Sequence, residues 1–176
     1  MTLQEKVVAA IRNVPDFPER GIQFKDITTL LAKPALVNEL IDDWVNRYEK
    51  REIDVVVGLE SRGFLFGVSL AARLGVPFVP IRKAGKLPFK TVSCQYNLEY
   101  GSAEVEIHMD ALKKGDRVLI HDDLLATGGT ARAAYDLCKK CGAEVTDFSF
   151  LLELGFLSGR KRLAGLNAAV HSQVIY

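Results

Sequence analysis

The sequence predicts an α/β fold with a central, mostly parallel sheet flanked by helices. From Asp54 onward, short apolar runs rich in β-branched residues alternate with stretches of helical periodicity. Continuous apolar runs are typical of strands buried on both faces, and helices between them indicate right-handed βαβ crossovers. The 176 residues, of which 48% are hydrophobic and 26% charged, suit one compact domain with a substantial core. We therefore expect a single domain over residues 1–176.

Two helices are expected before the sheet. Thr2 and Glu5 form a capping-box pattern, after which apolar residues recur at helical spacing as far as Ile11. Pro34 can begin a second helix, whose apolar face includes Trp44. We expect Trp44 to lie in the core or in a contact between subunits.

Strands and helices then alternate along the chain. The predicted strands are residues 54–58, 76–81, 117–121 and 144–152, and the predicted helices are residues 63–74 and 129–141. Gly75 and Gly142 directly follow these helices, where glycine commonly ends a helix. Residues 82–108 lack the helical period, and the alternation in 92–95 and 103–107 indicates a hairpin. An insertion of this length between two strands is commonly a functional lid.

Charge and cysteine content weigh against several classes of protein. With 23 Lys and Arg residues and 22 acidic residues, a general nucleic-acid or anionic-membrane binder has no electrostatic support. The strongest apolar stretch, residues 63–72, is shorter than the about 20 residues that a bilayer-spanning helix needs. Three cysteines argue against a disulfide framework and for a reducing compartment. We expect a cytoplasmic protein with no nucleic-acid or membrane partner.

The segment from Val118 to Ala131 is the most informative part of the sequence. An apolar strand leads into Asp122 and Asp123, and a turn and a helix follow. Carboxylates at the carboxyl end of a parallel strand face the crevice where α/β sheets bind ligands, and they can accept hydrogen bonds from sugar hydroxyls. The turn can direct its backbone N–H groups inward, and the helix start adds its positive dipole end. The segment predicts a ribose-phosphate site whose turn consists of Ala126, Thr127, Gly128, Gly129 and Thr130.

The glycines of this turn have an expected purpose. Gly128 and Gly129 should let the backbone approach a phosphate where a Cβ would clash. Neither the G-x-x-x-x-G-K-[ST] pattern of a P-loop nor a G-x-G-x-x-G pattern after a strand occurs in the sequence. The segment is therefore distinct from these two common phosphate-binding motifs.

Two further segments supply cations close to strand ends. Arg62, just after the first buried strand, can present a planar guanidinium fork to phosphate oxygens. Arg82 begins a basic run that contains no acid until Glu99. Cations facing a polyphosphate can neutralise the charge that develops on a leaving group. The alternatives that stay open are that Arg62 is an ordinary surface residue before a helix and that the run from Arg82 is a solvated basic loop.

The segment 118–131 resembles the phosphoribosyl pyrophosphate signature of the type I phosphoribosyltransferases. With Glu60–Phe64, Arg82–Pro88 and Leu98–Gly101, the resemblance to the adenine-using members of that family covers nearly the whole chain. It implies a parallel sheet flanked by helices, a small hood contributed mainly by residues 1–33, and a flexible catalytic loop at about residues 82–107. It also implies a homodimer, because in relatives the arginine at the position of Arg82 reaches into the partner subunit's active site.

The resemblance also implies roles for individual residues. Asp122 and Asp123 would hold the ribose hydroxyls, and the turn would hold the phosphate ester. Pyrophosphate would be bound by Glu60, Ser61, Arg62, Arg82, Lys83 and Lys86, with a cis peptide bond between Glu60 and Ser61. The catalytic residues would be Arg62, Lys83, Glu99 as general acid or base, and Tyr100 as a cover over the site.

The implied acceptor pocket involves Gln23, Phe24, Lys25 and Leu124. Phe24 and Leu124 would pack on opposite faces of a purine, while the backbone of Gln23 would read its edge. Gln23 stands where the family more usually has an apolar residue, and Lys25 stands where it more usually has arginine.

The implied activity belongs to purine salvage. The 5-phosphoribosyl group of phosphoribosyl pyrophosphate would pass to adenine, giving AMP and pyrophosphate. Mg²⁺ would be held mainly by substrate and water, so we name no direct protein ligand for the metal. The alternatives are transfer to another base, such as hypoxanthine, guanine or xanthine, and a non-catalytic regulator that senses phosphoribosyl pyrophosphate.

Other noticeable residues are expected to be structural. Cys138 and Cys141 form a C-x-x-C pattern without a second pair, and we expect two semi-buried thiols near a helix end. His121 is expected to face the interior. The basic run Arg160-Lys161-Arg162 is expected to be a solvated helix face.

Overall fold

The computed structural model describes residues 1–97 and 101–176 and divides the chain into two compact units, Met1–Asn46 and Arg47–Tyr176. Glu99 and Tyr100 lie outside the described residues, so their implied roles stay predictions. The expectation of one domain with a hood at about 1–33 also stays a prediction. Within the described ranges, no helix combines the length and apolar character needed to cross a membrane.

The first unit contains a short hairpin and helices. Its elements are α1 (Leu3–Ala10), β1 (Arg12–Pro15), β2 (Gln23–Asp26), α2 (Thr28–Leu31) and most of α3 (Pro34–Tyr48). The capping box is confirmed, because the Glu5 N–H donates to Thr2 Oγ1 at 3.2 Å and the Thr2 N–H donates to Glu5 Oε2 at 2.7 Å. Trp44 is fully buried, as expected of a core residue. The antiparallel β1–β2 pair was not predicted, because its strands are only four residues long and carry no clear alternation.

The second unit is built on a seven-stranded sheet, which confirms the α/β class. Its strands are β3 (Val55–Leu59), β4 (Phe78–Lys83), β5 (Thr91–Asn97), β6 (Ser102–His108), β7 (Arg117–Leu125), β8 (Glu144–Glu153) and β9 (Ala169–Ile175). Their order is β5-β6-β4-β3-β7-β8-β9. The five strands from β4 to β9 in this order pair in parallel, and β5, β6 and β4 pair antiparallel. The hairpin expected within residues 82–108 is therefore the antiparallel edge of the sheet.

Helices pack on this sheet. They are α4 (Gly63–Leu74), α5 (Gly129–Lys140) and α6 (Gly159–Leu163), with a 3₁₀ turn at Gly155–Leu157. Residues Val57 and Ile120 share a buried cluster with Leu137 of α5. The adjacent Gly58 faces the side chains of Phe64 and Phe78, and Gly67 of α4 faces the same Phe78. Alternate residues of β3 thus pack against α4 on one face of the sheet and against α5 on the other, as expected of a strand that is buried on both faces.

One strand extends further than its sequence indicates. Strand β7 was expected to end at 121, but it continues to Leu125 and pairs with β8 through Asp122↔Phe150 and Leu124↔Leu152. The acidic pair therefore lies inside the strand rather than after it. Backbone pairing with an apolar neighbour strand outweighs the low strand propensity of aspartate. The strand β9, for which we had no expectation, completes the parallel edge beside β8.

Candidate active site

Three predicted segments meet at one edge of the sheet in the second unit. β3 is flanked by β4 and β7, and all three strands run in the same direction. Their carboxyl ends deliver Glu60–Arg62, Arg82–Lys83 and Asp122–Asp123 respectively. In parallel sheets this edge is where ligands bind. The structure therefore brings together the acidic pair and the two cationic segments.

The two carboxylates of the acidic pair have different partners. Asp123 Oδ2 lies 2.9 Å from Arg62 Nε in an ion pair, and the Asp123 side chain is only 6% exposed. Asp122 Oδ1 accepts the Asp123 backbone N–H at 2.8 Å. A Cβ placed on Gly63, the first residue of α4, would lie 2.9 Å from Asp122 Oδ1, so only glycine leaves room for this carboxylate.

Burial makes both carboxyl groups weak acids. The pKa of Asp122 is raised well above its ordinary value by burial and by the neighbouring Asp123. Burial also raises the pKa of Asp123, although the Arg62 guanidinium opposes the shift. Perturbed carboxyl groups of this kind concentrate at functional sites.

The turn after β7 forms a cradle, and we call Ala126–Thr130 the phosphate cradle from here on. The backbone of Gly128 is left-handed, with φ 80°, and α5 begins at Gly129. A cavity of about 70 Å³ is lined by Asp122, Leu124, Leu125 and residues 126–131. A helix start that lines a small cavity beside a carboxylate suits a sugar phosphate. The predicted cradle residues, Asp122 and Leu124 thus share one cavity, whereas Asp123 pairs with Arg62.

The glycines of the cradle have a reason that the sequence did not indicate. A Cβ placed on Gly128 would lie 2.6 Å from the carbonyl oxygen of Gly159, and one on Gly129 would lie 3.0 Å from Arg162 Nη1. Gly128 is therefore required by its positive φ and by the α6 backbone that packs against it, whereas at Gly129 the nearest atom is the end of the flexible Arg162 side chain. Their expected role in close approach to a phosphate stays a prediction.

Glu60 holds the start of the basic segment, the run of cationic residues that begins at Arg82. Its carboxylate accepts the Lys83 backbone N–H at 2.9 Å and Arg82 Nη2 at 3.2 Å, and Lys86 Nζ lies 3.9 Å away. Burial alone would raise the pKa of Glu60, but the hydrogen bonds from Lys83 and Arg82 lower it overall. The Glu60–Ser61 peptide bond is cis, as predicted. In this structure Arg82 contacts Glu60 of its own chain, so its implied reach into a partner stays a prediction.

Glu106 is a site-forming residue that the sequence did not reveal. It is 6% exposed, and it accepts the backbone N–H groups of Lys86 and Leu87 at 3.0 and 2.9 Å and the Thr91 hydroxyl at 3.3 Å. Burial would raise the pKa of Glu106, but these backbone hydrogen bonds lower it overall. In the sequence, Glu106 is only an acidic residue in a predicted strand of alternating polarity. Its role becomes visible in the structure, where β6 pairs with β4 and Glu106 lies opposite Arg82.

Glu106→Ala is expected to lower the free energy of unfolding by about 2 kcal/mol, because two backbone N–H groups lose a charged acceptor. Urea unfolding at pH 7 measures this change. The group has a lowered folded-state pKa, so its contribution is present above pH 4.5, the ordinary value, and is lost as the pH falls through the lowered one. The control is Glu104→Ala on the same strand, which removes an exposed bond to Ser93. An equal loss in both variants would contradict the special role of Glu106.

Three of the residues implied in base recognition, Gln23, Phe24 and Lys25, lie on β2 in the first unit and carry a polar network, whereas Leu124 lies on β7. Asn13 Nδ2 donates to Gln23 Oε1 at 2.7 Å, and Lys25 Nζ donates to Asn13 Oδ1 at 3.1 Å. The Phe24 ring meets Phe17 edge-on, with ring centroids 5.2 Å apart. The two departures from the family pattern, Gln23 and Lys25, are thus linked through Asn13, which the sequence alone did not single out.

The remaining features are mainly structural. Cys138 is fully buried, and burial raises the pKa of its thiol. Burial lowers the pKa of His121 to about 3, so its ring is neutral at physiological pH. The expectation of a solvated basic face is wrong for Arg160, which pairs with Glu153 at 2.6 Å and donates to the Val170 carbonyl at 2.8 Å. Lys161 and Arg162 are exposed.

Residues 26–154 match the family model described as "Phosphoribosyl transferase domain". Together with the cradle, the acidic pair and the cations at one sheet edge, this defines the protein class as a phosphoribosyltransferase. An adenine phosphoribosyltransferase of Chloroflexus aurantiacus is 55% identical over 93% of this chain and 94% of its own length. The corresponding protein of Roseiflexus sp. is 56% identical over 88% of this chain and 90% of its own. The chain belongs to the adenine phosphoribosyltransferase family.

Solved structures agree with this assignment. The adenine phosphoribosyltransferase of Thermoanaerobacter pseudethanolicus has a TM-score of 0.94 and 48% identity, covering 99% of this chain and 100% of that one. The Saccharomyces cerevisiae structure, complexed with an imino-altritol bisphosphate and adenine, has a TM-score of 0.91 and 42% identity, covering 97% and 98%. The Trypanosoma brucei structure, in complex with AMP, pyrophosphate and ribose-5-phosphate, has a TM-score of 0.88 and 28% identity, covering 98% and 79%.

Proposed function

We propose that this chain transfers the 5-phosphoribosyl group of phosphoribosyl pyrophosphate to adenine, with AMP and pyrophosphate as products. The observation that carries the proposal is the shared cavity of Asp122 and the phosphate cradle, next to Arg62 and the basic segment. A sugar with a phosphate at one end and a pyrophosphate at the other fits this arrangement, with the phosphate in the cradle, the hydroxyls at Asp122 and the pyrophosphate at the cations. The ligands named for the yeast and trypanosome structures support adenine as the acceptor.

The reaction exchanges one bond at the anomeric carbon of the ribose. A ring nitrogen of adenine forms the new glycosidic bond, and the bond to pyrophosphate breaks with its electron pair left on the departing oxygen. The nitrogen then loses its proton, for which Glu99 stays the predicted acceptor. Positive charge on the ribose in the transition state, as in glycoside cleavage, favours nearby carboxylates and a site without water. Arg62 and Lys83 would stabilise the negative charge of the departing pyrophosphate.

Mg²⁺ is part of the proposal. The Asp122 carboxylate lines the cavity and offers the oxygen chemistry that a hydrated Mg²⁺ accepts. In the described part of the chain, no group of three His, Cys, Asp or Glu side chains could hold a metal ion by itself. Since Mg²⁺ keeps several waters and uses few protein ligands, we assign the ion mainly to the substrate's oxygens and to water, where it would offset the charge of the pyrophosphate.

A homodimer and a cytoplasmic location complete the proposal. Helix α4 carries two half-exposed apolar side chains, Leu65 and Val68, at 49% and 50% exposure. They lie three residues apart and share one helix face. A second copy of the chain would cover this face, and the implied reach of Arg82 into a partner site also requires such a dimer. The odd cysteine count supports a reducing compartment.

Incubation with phosphoribosyl pyrophosphate, Mg²⁺ and one base at a time tests the activity, with released pyrophosphate as the readout. We expect release with adenine to exceed release with hypoxanthine, guanine or xanthine by at least about 100-fold in kcat/KM, since a site whose buried polar groups match one base rejects another strongly. A preference for a 6-oxopurine would replace the proposed substrate. Binding of phosphoribosyl pyrophosphate without release from any base would indicate a sensor instead.

A further inference from the structure

Helix α6 packs against the outside of the phosphate cradle, with the backbones of the two segments in direct contact. A Cβ placed on Gly159 would clash with the Ala126 carbonyl oxygen and would lie 3.1 Å from the Gly128 nitrogen. Conversely, a Cβ on Gly128 would clash with the Gly159 carbonyl oxygen. The two backbones therefore touch without a side chain between them, which fixes α6 relative to the cradle.

This contact places a cation beside the start of α5. Arg162 Nη1 would lie 3.0 Å from a Cβ on Gly129, the first residue of that helix. Within the described residues Arg162 has no ion pair or hydrogen bond, in contrast to Arg160 on the same helix, which is held by Glu153. Within the described residues, no carboxylate therefore compensates the Arg162 guanidinium next to the proposed phosphate position.

A tyrosine from the hairpin reaches the same residue. A ring carbon of Tyr96, on β5, would lie 3.3 Å from a Cβ on Gly129. Its hydroxyl accepts a hydrogen bond from Thr130 Oγ1 at 3.2 Å. Because both groups are hydroxyls, the pair can reverse when a phosphate accepts the Thr130 O–H, and Tyr96 then donates to Thr130 Oγ1. The Tyr96 side chain is half-buried. Tyr96 is therefore a direct link between the hairpin and a hydroxyl of the cradle.

We infer that Tyr96 and Arg162 are positioning residues of the sugar-phosphate site, one orienting the Thr130 hydroxyl and the other adding positive potential behind the cradle. Neither residue belongs to the motif that predicts the cradle. The inference rests on the proposed function for the identity of the anion, a phosphate monoester. Because Arg162 is exposed, its effect should be modest and should weaken as salt screens it.

Arg162→Ala is expected to weaken the binding of ribose 5-phosphate and to raise the KM for phosphoribosyl pyrophosphate by about fivefold at low ionic strength, as the loss of one exposed cation predicts. The kcat and the KM for adenine should change less than twofold. Lys161→Ala is the matched control, because it removes the same charge from the preceding exposed residue. Arg162→Lys should recover part of the binding. Equal effects of Arg162→Ala and Lys161→Ala, or no salt dependence, would overturn the inference for Arg162.

Tyr96→Phe keeps the ring and removes only the hydroxyl. We expect the affinity for ribose 5-phosphate to fall about threefold, since one neutral hydrogen bond is lost, with an unchanged melting temperature. Tyr135→Phe, on α5, is the control, because the Tyr135 ring stacks on Phe148 and its hydroxyl has no bond within the described residues. An unchanged affinity in Tyr96→Phe would remove Tyr96 from the inference.

Calorimetric binding separates this inference from the proposed function. If the wild-type protein binds ribose 5-phosphate and Arg162→Ala weakens that binding, the inference holds even where no base is phosphoribosylated. If the wild-type protein transfers to adenine and both variants bind ribose 5-phosphate as it does, the inference is wrong and the proposed function stands.

Discussion

Asp122→Asn is expected to lose about 100-fold or more in kcat/KM for phosphoribosyl pyrophosphate, in line with the removal of one charged group from a reacting centre. The same variant should be more stable than the wild type. The Asp122 side chain is half-buried, and desolvation together with the neighbouring Asp123 disfavours its ionised form in the folded state, whereas asparagine can still accept the Asp123 N–H. The gain should be about 1 kcal/mol, or about 2–4 °C in melting temperature for a chain of this size.

The pH dependence of that gain follows from the direction of the pKa shift. The folded-state pKa of Asp122 is raised above its ordinary value of 3.8. Below that value both the folded and the unfolded chain carry a protonated carboxyl group, and the penalty is absent. It grows as the pH rises and is complete above the folded-state pKa. The variant should therefore melt at a higher temperature than the wild type at pH 7 and at the same temperature near pH 4.

Two outcomes would contradict this prediction. A variant that retains wild-type turnover would remove Asp122 from the site, and a variant that melts lower at pH 7 would show that its charge stabilises the fold. Asp136→Asn provides the control, because Asp136 is an exposed partner of Arg132 on α5. It should leave turnover unchanged and stability within about 0.5 kcal/mol.

Arg62→Ala should impair both catalysis and folding. Arg62 is the partner of Asp123, whose side chain is 6% exposed, so its removal leaves a nearly buried carboxylate without its cation. Loss of one partner of a fully buried pair costs about 3–5 kcal/mol. The Arg62 side chain is 37% exposed, so solvent reduces that figure and we expect about 1–3 kcal/mol. Turnover should fall by about 100-fold or more, because the proposed pyrophosphate loses a bidentate donor.

A double variant distinguishes the two effects of Arg62. Arg62→Ala combined with Asp123→Asn removes both charges, so urea unfolding should show recovery of most of the lost stability, while single-turnover assays should show no recovery of rate. Arg132→Ala is the control, because it removes an arginine from an exposed pair. If the double variant regained activity together with stability, Arg62 would be a structural residue and its role toward pyrophosphate would be withdrawn.

Local patterns were sufficient for much of this protein. The capping box at Thr2 and Glu5, the helix end at Gly75 and the strand–turn–helix around Asp122 all depend on residues a few positions apart. Backbone geometry and short-range hydrogen bonds decide such features, so a single sequence contains them. For the same reason the sequence indicated the α/β class and the carboxyl edge of the sheet as the site.

Contacts between distant segments were decided by the tertiary structure alone. The extension of β7 through the acidic pair needs the β8 backbone beside it, and the role of Glu106 needs β6 to lie against β4. The glycine at position 128 of the cradle is explained by Gly159, some thirty residues later in the chain. Such pairings depend on strand register and on the packing of whole elements, because the residues involved have no neighbours in sequence that specify them. The sequence by itself therefore determined which chemistry is present, and the packing determined which groups hold it in position.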